Sequence, residues 1–65
     1  MSSHLKIYIG SQLRIHRRAA GLNQAELGAQ IERTAEAISN IETGKSLPSI
    51  DTLLSLAAAL GTGVT

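Results

Sequence analysis

The chain has 65 residues, which is one domain's worth, and a chain of this size buries only about 60% of the surface that its unfolded form exposes. It has no cysteine, and its two histidines, His4 and His16, have no partners at metal-ligand spacing; a disulfide or metal framework is excluded, no cofactor is expected, and aliphatic packing or dimerisation must stabilise the fold. The net charge of +1 is unevenly divided: Met1 to Leu22 carries Lys6, Arg14, Arg17 and Arg18 with no acid, whereas Asn23 to Thr65 carries Arg33 and Lys45 against Glu26, Glu32, Glu36, Glu42 and Asp51.

Only the first part of the chain therefore attracts phosphate, although a solvated basic helix face would carry the same charges. Phe and Trp are absent and Tyr8 is the single aromatic, so the core is built from Leu, Ile, Val and Ala, which suits short packed helices. The longest apolar stretch, Leu53 to Leu60, is broken by Ser55 and falls far short of the roughly 20 residues of a membrane span. Met1 to Gly10 has no apolar run of signal-peptide length, and a cytoplasmic location is the default expectation.

Leu5, Ile7 and Ile9 alternate with Lys6 and Tyr8 in a brief period of two, too short to define a strand. A first helix is expected from near Ile9, with Leu13 and His16 on one face, to Gly21, which suits the left-handed position after a helix. Asn23 offers a side-chain oxygen to the free amides of a second helix beginning at Gln24, and Glu26 supplies the reciprocal half of a capping box. Leu27 and Ile31, four apart, share a face of this helix, which ends by about Ile31 because Thr34 caps the next. The third helix runs from Ala35 to Glu42 with Ile38 and Ile41 inward, and Gly44 ends it. After the loop Lys45 to Pro48, Ser49 caps a fourth helix with Asp51 in its first turn and Leu53, Leu56, Ala57 and Leu60 as its buried stripe; Gly61 closes it. This gives an N-terminal arm over 1–8, a domain over 9–61 and a tail over 62–65, with no repeat, low-complexity run or internal linker.

Two short helices joined by a tight turn make a helix-turn-helix motif. Arg17 followed by Gly21-Leu22-Asn23-Gln24-Ala25-Glu26-Leu27, then Ile38-Ser39-Asn40-Ile41-Glu42-Thr43-Gly44-Lys45 and Pro48-Ser49, resembles the phage-repressor family of Cro and the lambda and 434 repressors, of the XRE type, over nearly the whole chain. The resemblance implies an all-α, compact four- to five-helix lambda-repressor-like DNA-binding domain, with the helix-turn-helix at the second and third helices. It further implies that Ala35, Glu36 and Asn40 meet base edges in the major groove of double-stranded DNA. Asn40 could bond adenine, Glu36 could accept from cytosine or merely complement the helix dipole, and the Ala35 methyl could touch thymine.

Gln24, at a helix start and able to donate, is a backbone-clamp candidate beside Asn23, with an ordinary first-turn glutamine as the alternative. Thr43, Lys45 and Ser46, just past the third helix, are expected on phosphates, Lys45 having a solvated loop lysine as its alternative. Arg17 and Glu42 occupy positions that form a partly buried ion pair in the family; otherwise Arg17 binds phosphate and Glu42 is solvated. Gly28, without a Cβ on the side facing the third helix, permits close backbone approach. His16 stands where the family has an apolar residue and is expected to be packed and hydrogen-bonded. Glu32 replaces a usual glycine and Arg33 a small apolar residue, so the turn is either reshaped or strained. The fifth helix of the family is missing, which suggests truncation or another dimer surface.

These readings lead to a sequence-specific transcriptional regulator, most simply a repressor acting as a homodimer on a palindromic operator. An antitoxin with a toxin or other protein partner, or a restriction-modification controller, would regulate its own operon with the same domain. A protein-interaction module on a helix-turn-helix scaffold is the rival from another class. No nucleophile, base and oxyanion site occur at workable spacing, so an enzyme is not expected.

Overall fold

The computed structural model describes residues 2–61, and the tail expected over 62–65 lies outside them. Four helices follow one another: α1 (Ser2–Ala19), α2 (Gln24–Gln30), α3 (Ala35–Glu42) and α4 (Ile50–Leu60). Helix α3 packs against both α1 and α2, and α4 makes a lighter contact with α2. None of the described helices is long and apolar enough to cross a membrane.

Local chemistry sets most of the boundaries. The Asn23 side chain accepts from the Glu26 amide at 2.7 Å, and the Glu26 carboxylate accepts from the Asn23 amide at 2.8 Å, so the capping box satisfies two donors at the start of α2. The Thr34 hydroxyl oxygen accepts from the Ala37 amide at the start of α3, and that of Ser49 from the Thr52 amide at the start of α4. Gly61, at φ 69°, ends α4 in the left-handed conformation that glycine adopts without a Cβ clash.

The first helix starts at Ser2 rather than near Ile9, so residues 2–8, read from the sequence as an arm, are its opening turns. The inward side of α1 begins at Ile9, Gly10 and Leu13, and the alternation of Leu5, Ile7 and Ile9 does not mark a buried face, because Leu5 and Ile7 stay 51% and 58% exposed. Gly10 is buried at the crossing with α3, where a Cβ would lie 2.3 Å from the Ile41 carbonyl oxygen and 2.7 Å from that of Glu42. At Gly28 the close approach is to the Arg33 and Thr34 carbonyls, so this glycine lets the turn before α3 fold back on α2. The Gly28 carbonyl also accepts from the Arg33 amide at 2.7 Å.

That turn keeps the left-handed conformation without a glycine: Glu32 has φ 60°. The described core consists of Leu13, Leu27, Ile38, Ile41 and Leu56, with Leu22, Ile31, Ala59 and Leu60 packed against it. Two further expectations need correction. Leu53, placed in the buried stripe of α4, is 40% exposed, because it lines an open apolar groove between α1 and α4. His16 is exposed on the wall of the same groove rather than packed and hydrogen-bonded; the α1 face that turns inward runs through Leu13 and Arg17 instead.

Candidate nucleic-acid interface

Burial of Ile38, Ile41 and Glu42 orients α3. A period of 3.6 residues then places Glu36, Asn40 and Thr43 on one ridge along the opposite side. Glu36 and Thr43 are exposed and Asn40 is half-buried, while Ala35 is half-buried on the flank shared with Ser39. Among the described residues, no hydrogen bond occupies the Asn40 side-chain amide, which leaves its donor and acceptor together for an outside group. The Asn40 carbonyl meanwhile accepts from the Lys45 and Ser46 amides at 2.9 and 3.1 Å, folding the loop back onto the end of α3.

This arrangement separates the expected backbone contacts by what each can still offer. The main-chain amides of Lys45 and Ser46 are engaged by Asn40, so their exposed side chains are the groups available. Thr43 donates its hydroxyl proton to the Ser39 carbonyl at 2.9 Å and offers only an acceptor unless that bond opens. The Asn23 side-chain oxygen serves the cap of α2, which leaves its NH2 group as the free donor.

Behind the ridge, the side chain of Glu42 is fully removed from solvent, and four hydrogen bonds converge on its carboxylate. Arg17 donates through Nε to Oε2 at 2.6 Å and through Nη2 to Oε1 at 3.1 Å, the paired geometry of a guanidinium on a carboxylate. Arg17 Nη1 donates to the Leu22 carbonyl at 2.9 Å, which fixes the α1–α2 connection. Gln24 Nε2 and Arg14 Nε also donate to Glu42 Oε1, at 3.1 and 3.3 Å. Burial pushes the Glu42 carboxyl up, but the hydrogen bonds from Arg17, Gln24 and Arg14 outweigh it and hold the group below the usual carboxylate range. The hydrogen bond to Glu42 raises the Arg17 guanidinium further, with burial opposing, so both partners are charged at neutral pH.

Helices α1 and α2 are thus tied to the end of α3 through one carboxylate. Arg17 and Glu42 meet directly, and Gln24 joins them, whereas Ala35, Glu36, Asn40, Thr43, Lys45 and Ser46 lie along α3 and its following loop. Sequence reasoning left Arg14 out of this group, although its signal was available: three residues before Arg17, it lies on the same face of α1. Gly10 was passed over as well, despite the cost of a mid-helix glycine unless a neighbour needs the space.

No curated protein and no solved structure matches this chain. A family model described as a helix-turn-helix domain matches residues 9–65, which takes in α2, the Glu32 turn and α3. The chain belongs to the helix-turn-helix domain family, a DNA-binding family, with α2 and α3 as its two motif helices.

Proposed function

We propose that this protein is a sequence-specific transcriptional regulator of the Cro and phage-repressor type, a repressor that binds a palindromic operator as a homodimer. Ala35, Glu36 and Asn40 read base edges in the major groove, and Asn23, Gln24, Thr43, Lys45 and Ser46 hold the DNA backbone. The observation that carries this reading is the free side-chain amide of Asn40 on the outward ridge of a capped α3 braced from behind by the Glu42 cluster. An amide so placed can bond adenine N6 and N7 together, while the exposed Glu36 can accept from cytosine N4.

The test is selection of bound duplexes from a random pool. The parent should yield a near-palindromic consensus whose half-site centres lie roughly 34 Å apart. Asn40→Ala should erase one preferred base per half-site, a discrimination worth about 1–3 kcal/mol, and leave the other positions intact. Lys45→Ala should weaken all sequences alike. An asymmetric consensus that Asn40→Ala leaves unchanged refutes the assignment of α3.

The apolar α1–α4 groove supports one second reading, an antitoxin that represses its own operon while a protein partner covers the groove. Purification of the parent with its operon neighbours, with and without Leu53→Lys in the groove, separates the two.

A further inference from the structure

We propose that Arg14 is a further DNA-phosphate clamp, held by Glu42 beside Gln24 so that the two side chains address one phosphodiester. This rests on the DNA-binding reading above and adds a residue of α1 to the footprint.

The case begins with how the two arginines of the Glu42 cluster are used. Arg17 is 8% exposed and uses all three of its nitrogens, two on Glu42 and one on the Leu22 carbonyl. Arg14 reaches the same carboxylate through Nε alone, and no hydrogen bond within the described chain takes its Nη1 or Nη2. Its side chain is 43% exposed, so both terminal nitrogens can meet a group from solvent. Its bond to Glu42, at 3.3 Å, is longer than the 2.6 Å bond from Arg17 and is the easier of the two to redirect.

Charge points the same way. Two guanidinium groups face one carboxylate, and the paired geometry of Arg17 already neutralises it, so Arg14 carries a surplus positive charge that an anion from outside can meet. Arg14 Nε and Gln24 Nε2 both donate to Glu42 Oε1, which sets the two donors within two hydrogen-bond lengths of each other. A phosphate presents more than one oxygen and can take a terminal nitrogen of Arg14 and the second amide hydrogen of Gln24 together. Glu42 thereby acts as a positioning residue for two DNA contacts, in addition to bracing α3.

The experiment measures affinity for the duplex selected by the parent at several salt concentrations, for the parent, Arg14→Gln and Arg14→Lys. Each phosphate contact contributes about 0.9 to the slope of log affinity against log salt. Arg14→Gln should lower the slope by about that amount and weaken all sequences alike, with the base consensus unchanged; Arg14→Lys, which keeps the charge, should keep the slope. A parental slope in folded Arg14→Gln overturns the assignment, even if its melting temperature has fallen, because Arg14 would then serve only to brace Glu42. Should Arg14→Gln not fold, the Nε–H magnetic resonance signal of Arg14 in the parent decides: movement on adding duplex supports the clamp, and no movement overturns it. A shift caused by inorganic phosphate but not by duplex also overturns it, since the site would then serve a free anion. If the parent binds no duplex, the functional reading fails and takes this assignment with it.

Discussion

Glu32 holds φ 60°, a conformation in which an L side chain costs roughly 1–2 kcal/mol and glycine is free of that cost. Its side chain is exposed, so little packing is lost with it. Glu32→Gly should therefore stabilise the domain by about 1 kcal/mol, a rise of roughly 4–8 °C in Tm for a chain of this size. A thermal melt that is unchanged or lowered would place the strain elsewhere. Gly10 is the opposite case. Helix propensity alone makes Gly10→Ala favourable by about 1 kcal/mol, yet the added Cβ would meet two backbone carbonyls of α3 that no side-chain rotation can move. Overpacking of this kind costs about 1–3 kcal/mol, more than the propensity gain. Denaturant unfolding should show Gly10→Ala below the parent, and an increase would mean that α1 can lift off α3 without penalty.

Among the elements, α3 depends on Glu42 most heavily, since that one carboxylate takes donors from α1 and α2. Removing its charge leaves Arg17 buried without compensation, a loss of about 3–5 kcal/mol in comparable pairs, against a total of roughly 0.05–0.15 kcal/mol per residue for a whole domain. Glu42→Gln should accordingly melt far below the parent. Because the folded state holds the Glu42 carboxyl below its ordinary value of 4.5, the stabilisation is complete above that value and is lost as pH falls through the lower folded one. The gap in Tm between parent and Glu42→Gln should be constant near neutral pH and close in acid; a gap that widens in acid would contradict the sign of the shift. The sequence makes the elements readable where a boundary is written by adjacent residues, as at Asn23 with Glu26, Thr34, Ser49 and Gly61. It hides what depends on distant partners. The opening turns of α1 escaped because Leu5, Ile7 and Ile9 satisfy a period of two as well as part of a helical stripe, and only packing on α3 decides between them. The links from Arg14 and Gln24 to Glu42 cross 28 and 18 residues of sequence, beyond the reach of any local pattern.

At the scale of the molecule, a described core of five aliphatic side chains joins α1, α2 and α3 and gives α4 a single buried residue, Leu56. Large apolar side chains remain on the surface of α1 and α4, among them Leu5, Tyr8, Ile50 and Leu54. Single exposed aliphatics are ordinary, but the α1–α4 groove sets the exposed Tyr8 and Leu53 beside the half-buried Ile9 and Leu60. Tyr8 lies on the wall of that groove and is 61% exposed. It is also the only aromatic residue of the chain, which has no tryptophan. The protein's ultraviolet emission therefore comes from one phenol ring that meets water both in the folded chain and in the unfolded one. Unfolding of the helices will be almost dark by that light, while a partner or second copy that covers the groove will change the ring's surroundings at once. The molecule thus carries a built-in optical reporter that is nearly blind to its own folding and sensitive to company.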